Sequence, residues 1–178
     1  ELAATPALAN VRSLDLTGLK IPDDDLVALL TSPHLTNLMA LKLSASNMAN
    51  ADMTLSEVVG SAVAQMSSAP VLREHDVPGD ADFLHAVCSS GRFPSLEKLT
   101  IGSGYTKPHF DAIGRLQAPA ISCLKVRGSL NVSDCTAIAT LPLSGLRSLD
   151  LESTRVPARG LQELAQRGAL DRIERLNL

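Results

Sequence analysis

The chain has 178 residues, with 16 Lys and Arg against 19 Asp and Glu, for a formal net charge of −3. That balance removes the charge argument for a general nucleic-acid or membrane-surface binder, and no apolar run approaches the ~20 residues of a membrane span. Apolar residues make up 45% of the chain but aromatics only 2%, with no Trp, one Tyr and three Phe, so the core must be aliphatic.

One short pattern recurs along the chain: apolar residues at the first, fourth and sixth positions of a six-residue segment. Val11, Leu14 and Leu16 form the first copy, and Leu38, Leu41 and Leu43 the second. Leu72, His75 and Val77 form a degenerate third; Leu96, Leu99 and Ile101 the fourth; Ile121, Leu124 and Val126 the fifth; Leu146, Leu149 and Leu151 the sixth; Ile173, Leu176 and Leu178 the seventh. The copies start at 11, 38, 72, 96, 121, 146 and 173, in steps of 27, 34, 24, 25, 25 and 27 residues. Each copy reads as a short strand whose positions 1, 4 and 6 face inward while the residues between them face out. The column three residues ahead of each copy (Leu8, Leu35, Ala69, Phe93, Ala118, Leu143 and Leu170) is also apolar, as layer-on-layer stacking requires.

The segments between strands read as return elements, several of them helical. After the first strand, Pro22 stands at a first helical position, Asp23, Asp24 and Asp25 fill the first turn, and Leu26, Leu29 and Leu30 form an apolar stripe. The second return is long. Thr54 to Glu57 read as a capping box, Val58, Val59, Ala62, Val63 and Met66 as the helix it opens, and Pro70 as its stop. His75 then occupies an inward strand position, Pro78-Gly79-Asp80 turn the chain, and residues 82–88 read as another short helix. Pro108 precedes a stripe of Phe110, Ile113 and Leu116; Ser133 is a candidate cap for a shorter turn containing Ile138; Pro157 opens a helix lined by Leu161 and Leu164 and closed by Gly168. The irregular stretch 50–94 reads as a longer segment on the outer side, or as a distortion that shapes a binding face. Glu1-Leu2-Ala3 and Ala7-Leu8 repeat as Glu163-Leu164-Ala165 and Ala169-Leu170. Glu1 is thus expected inside the helix of a preceding repeat, and residues 1–178 are expected to form a single domain cut from a longer array.

A period of about 20–29 residues with this pattern is that of leucine-rich repeats. Leu30 to Leu43, and Leu146 to Leu151 followed by Gly160-Leu-Gln-Glu-Leu-Ala165, resemble bacterial leucine-rich repeats of the ribonuclease-inhibitor-like subtype. The chain departs from that subtype in its shorter period and in lacking Asn at position 9, where Leu19, Ser46, Gly104, Ser129 and Thr154 stand. The resemblance implies an α/β fold: a curved solenoid of about seven strands, with a parallel β-sheet on the concave side and helices on the convex side. It also implies a protein-protein interaction module that binds a protein partner through its concave face. The repeats are similar as well to those of secreted bacterial effectors of the ubiquitin-ligase or adaptor type, which offers the alternative of a substrate-recognition domain whose other domain is absent. Three internal cysteines, Cys88, Cys123 and Cys135, favour reduced thiols, so the expected location is cytoplasmic, or the host cell for an effector.

No catalytic, cofactor or metal set emerges. His34, His75, His85 and His109 form no metal motif, His75, Asp76, Asp80, Asp82 and His85 match no standard ligand spacing, and Gly102-Ser103-Gly104 lacks the residues of a phosphate loop. Cys123 lies at an outward position near Lys125 and Arg127 but has no assignable base. Recognition is expected instead from a polar strip of outward strand residues: Arg12, Asp15, Lys42, Arg73, Asp76, Lys98, Lys125, Arg127, Arg147 and Asp150. Strands ~4.8 Å apart make it continuous, with charge alternating in sign. It reads either as a solvated face with neutralising neighbours or as a salt-sensitive recognition surface.

Overall fold

A computed structural model describes residues 2–43, 57–69, 72–77, 81–101, 107–116, 118–152 and 154–178. Seven parallel strands form one open sheet: β1 (Ser13–Asp15), β2 (Ala40–Lys42), β3 (Glu74–Val77), β4 (Lys98–Ile101), β5 (Cys123–Val126), β7 (Ser148–Asp150) and β9 (Arg175–Asn177), in that spatial order. β6 (Gly128–Ser129) and β8 (Thr154–Arg155) form a second, two-stranded parallel ladder beside it. The helices are α1 (Asp23–Leu30), α2 (Glu57–Gln65), α3 (Ala81–Ser89), α4 (Lys107–Ile113), α5 (Val132–Ala139) and α6 (Ala158–Gln166), each packed against the next. The architecture is therefore α/β with a parallel sheet, as expected. The sheet, however, is not curled. Curvature accumulates from a constant rotation per repeat, and steps that run from 24 to 34 residues supply no such constant.

The register is what the spacing demands. Position 4 of every copy lies opposite position 4 of the next: Leu14, Leu41, His75, Leu99, Leu124, Leu149 and Leu176 follow one another across the sheet. A second regularity holds the strands in this phase. At each junction the carbonyl of position 2 accepts hydrogen bonds from the N–H groups of positions 2 and 3 of the next copy. The Arg12 carbonyl accepts from Met39 and Ala40, Met39 from Arg73 and Glu74, and Arg73 from Glu97 and Lys98, at 2.8–3.1 Å. Glu97, Ser122 and Arg147 continue the series to Arg175. The degenerate third copy joins on both sides, because the pattern uses backbone groups that every non-proline residue has.

The described apolar inward residues of the first six copies and the apolar helix stripes belong to one core, whereas Leu176 and Leu178 of the seventh copy are exposed. Leu26, Leu30, Leu41, Leu99, Leu124, Phe110, Ile113 and Leu164 are almost wholly buried, as is the column ahead of the strands from Leu8 to Leu143. The three Phe are buried too, and all belong to the third and fourth repeats, where the aliphatic pattern is least regular: Phe83 on α3, Phe93 in the following turn and Phe110 on α4. Bulk there faces small neighbours, Ala69 preceding Phe93 in its column.

Several local expectations are refined. Pro22 and Pro157 are N-caps rather than first helical residues. The cap of α5 is Asn131, not Ser133: its side chain accepts from the Asp134 N–H while the Asp134 carboxylate accepts from the Asn131 N–H. Asn therefore closes a capping box one residue before the helix begins, leaving Ser133 exposed in the first turn. Leu2–Ala4 is a 3-10 turn instead of α-helix. Gly168 does end α6, with φ of +70°. The 54–56 part of the expected capping box, Pro70 and the 78–80 turn lie outside the described residues.

Helix contacts in two places depend on glycine. A Cβ on Gly60 of α2 would lie 2.8 Å from the Phe83 carbonyl oxygen and 2.9 Å from its Cα, and one on Gly160 of α6 would lie 2.6 Å from Cys135 Sγ. Alanine gains about 1 kcal/mol in helix propensity over glycine, whereas overpacking against backbone costs about 1–3 kcal/mol. Gly60→Ala is therefore expected to destabilise the fold by about 1 kcal/mol or more in urea unfolding; a stabilised variant would show that α2 and α3 separate readily.

His75 is the exception in the inward column. It is 1% exposed, its ring lies 6.1 Å from the Phe83 ring, and Nδ1 is 3.2 Å from the Leu41 carbonyl oxygen. A carbonyl only accepts, so Nδ1 carries a proton; Nε2 has no partner among the described residues, and burial disfavours the charged ring. Burial pushes the imidazole down to about 4 from the usual 6.5, against a smaller upward pull from the Leu41 bond. Between those values the unfolded chain binds a proton that the folded chain excludes, so stability falls as pH drops through that window, by roughly 3 kcal/mol in all. His75→Leu should raise stability and flatten the pH 4–6.5 limb of the stability curve, read by chemical denaturation at several pH values. An unchanged limb would assign the acid sensitivity elsewhere.

Candidate functional site

Parallel sheets are normally covered on both faces; among the described residues of this one the apolar core packs on a single face. On the other, positions 2, 3 and 5 carry the polar strip, and Arg12, Asp15, Lys42, Arg73, Glu74, Glu97 and Arg147 are exposed on it. In-register pairing sets the same position of neighbouring repeats side by side, so the chemistry of the strip follows from reading each column across the strands.

Read that way, the charges pair off. At position 5, Lys42 Nζ lies 3.2 Å from Asp15 Oδ2, and Lys125 Nζ lies 2.6 Å from Asp150 Oδ2 and 3.6 Å from Glu152 Oε2. Asn177 donates to the other Asp150 oxygen at 3.2 Å. At position 3, Lys98 and Glu74 are 3.6 Å apart; at position 2, Arg73 meets Glu97 at 3.5 Å and Arg147 meets Glu174 at 3.6 Å. Arg12 reaches the Met39 sulfur at 3.7 Å. The strip is thus a ladder of ion-paired neighbours.

Most of these pairs are about half exposed and contribute little to stability. Lys125–Asp150 differs: both side chains are about one-fifth exposed, at 20% and 19%. Burial pushes the Asp150 carboxyl up, but the Lys125 hydrogen bond and charge, the Glu152 N–H and the Asn177 amide together hold it below its usual value, while the hydrogen bond to Asp150 raises the Lys125 ammonium against its desolvation. Asp15 is also lowered, chiefly by the Thr17 hydroxyl and N–H and only then by Lys42.

Each proposed recognition residue whose side chain is described lies on this face or, for Arg127, just beyond the end of β5. Asp76 has its backbone in register between Lys42 and Thr100, and its side chain is outside the described set. Glu97 and Glu174 are absent from the sequence-derived set. Their signal was available: each stands one repeat after an Arg at the same phase, Arg73 and Arg147. Between β2 and β5 the face sinks into a hollow of about 190 Å³, floored by Ala40 and Thr100 and ringed by Lys42, Lys98, Lys125 and Arg127. Sequence reading also missed a wider, open hollow of about 620 Å³ along the β6–β8 ladder, lined by Leu130, Arg155 and Pro157 among others. There the Thr154 hydroxyl donates to the Val126 carbonyl at 2.5 Å, providing a loop hydrogen bond at the position where the subtype carries Asn.

Chemistry of other kinds finds little support. Among the described residues no group of three or more His, Cys, Asp or Glu could hold a metal ion, and His75 of the acidic–histidine cluster is committed to the core. Burial pushes the Cys88 thiol up to about 12; it also raises Cys135, aided by Asp134, so neither is poised as a nucleophile. Cys123 is half-buried on the strand face. Among the described residues no helix is long and apolar enough to cross a membrane. No protein-family model and no curated protein matches this sequence.

The difference between the two kinds of pair is measurable. A double-mutant cycle with Lys125→Met and Asp150→Asn should return a coupling of about 1 kcal/mol or more, and one with Lys42→Met and Asp15→Asn a clearly smaller one. Equal couplings would show that solvent screens both alike.

Proposed function

We propose that this chain is a leucine-rich-repeat array of the ribonuclease-inhibitor-like kind and works as a protein-interaction module, taking its partner on the strand face. The observation that carries this reading is the row of polar side chains, many of them exposed, along one face of a seven-stranded parallel sheet. The architecture buries one face in the core, and the other presents side chains at fixed intervals of ~4.8 Å across the strands. Such an array is rigid along its length, so little conformational freedom is lost when a partner docks. Self-neutralised charge makes the surface selective rather than sticky. A partner must replace ion pairs in the right order, and mismatched charge is rejected. The three free thiols, Cys88, Cys123 and Cys135, support a reducing compartment as the place of work.

Ser13→Arg with Ser148→Arg would plant long side chains on the open face, with Gln162→Arg on the exposed side of α6 as the control. Partners captured from lysate and identified by mass spectrometry should be lost, by about tenfold or more, only from the strand-face variant with unchanged circular dichroism. Capture that survives there and fails with Gln162→Arg would move the interface to the helix layer.

A further inference from the structure

We infer that the hollow over β2–β5 receives carboxylate side chains, and that the partner segment docking there is a short acidic peptide. This deepens the strand-face reading and rests on it. The hollow has a structural cause. Ala40 and Thr100 put short side chains at the centre of the face, and the long ones beside them lean outward. Lys42 on β2 is drawn to Asp15 on β1, and Lys125 on β5 to Asp150 on β7, at 3.2 and 2.6 Å. The two ion pairs thus hold opposite walls apart and leave about 190 Å³ between them.

The ring around that space is cationic: Lys42, Lys98, Lys125 and Arg127, with Glu74 the one described carboxylate on the lining. Lys98 and Glu74 are joined at 3.6 Å with side chains 43% and 54% exposed, a weak pair that an incoming carboxylate can replace. The carboxylates that pair with Lys42 and Lys125 stand outside the ring, on its two flanks, so among the described residues its lining holds four cations and one carboxylate. The positive stretch spans three strand spacings, ~14 Å, the reach of about four extended residues. A longer polyanion would run onto Asp15 on one side and onto Asp150 and Glu152 on the other, which favours a short acidic peptide over a nucleic acid.

The test is fluorescence anisotropy with a labelled oligoglutamate peptide, against an oligolysine peptide and a single-stranded oligonucleotide. Oligoglutamate should bind, with affinity that falls as salt rises. Lys98→Gln should weaken it about tenfold, the scale of one charge-assisted hydrogen bond, whereas Glu74→Gln should tighten it. The tightening arm matters because a variant that merely unfolds cannot produce it. No binding, binding indifferent to Lys98→Gln, weakening by Glu74→Gln, or tighter binding of the oligonucleotide would overturn the inference. If partner capture is lost on blocking Ser13 and Ser148 yet oligoglutamate does not bind, the strand-face reading stands and this one fails. Capture that survives the block removes both.

Discussion

The carbonyl at position 2 of each repeat is the constraint on which the rest of the structure depends. It accepts two N–H groups from the following repeat at every junction from Arg12 to Arg175, and so sets where each strand begins against its neighbour. A one-residue slip would turn every inward side chain outward, so this backbone anchor and the apolar columns reinforce each other. Buried Leu41, Leu99, Leu124 and Leu149 reward the register, and the hydrogen bonds make it cheap to keep where the side chain is poor. That is how the third repeat survives with His75 in the core. Its strand pairs on both sides through the same bonds, while α3 supplies Phe83 to cover the ring.

The same register decides the character of the opposite face. Because like positions sit side by side, charge alternation between consecutive repeats becomes ion pairing between adjacent strands, and the strip neutralises itself. Between β2 and β5, above Ala40 and Thr100, Lys42 and Lys125 lean to opposite flanks and leave a hollow ringed by cationic side chains. A surface of this kind exerts little attraction at a distance, consistent with the modest net charge of −3.

Much of the scaffold was legible before any coordinates. The spacing of Leu and Ile located all seven sheet strands, the stripes at Leu26, Leu29 and Leu30 and at Leu161 and Leu164 located helices α1 and α6, and the phase of the preceding column told which residues would be buried. These signals are local and periodic, and periodicity survives in one dimension. Finer features were less visible. Asn131 and Ser133 are both acceptable caps, and which one serves depends on where the helix begins by one residue. The β6–β8 ladder arises from residues 26 apart whose pairing is offset by one from the repeat phase, Gly128 lying opposite Thr154. The curvature expected of such repeats is absent because it is a cumulative property of the whole array, and unequal repeats do not accumulate it evenly.

For the strand face the division is clear. The sequence by itself determined which residues point outward, since an alternating strand leaves no choice, and it determined the alternation of charge. Only the tertiary structure decided what those charges do. Pair distances, the withdrawal of Lys125 and Asp150 to one-fifth exposure and the parting of the walls above Ala40 and Thr100 depend on how long side chains share space across strands 24 to 34 residues apart in the chain. Contacts of that kind are set by packing in three dimensions, and no one-dimensional period encodes them.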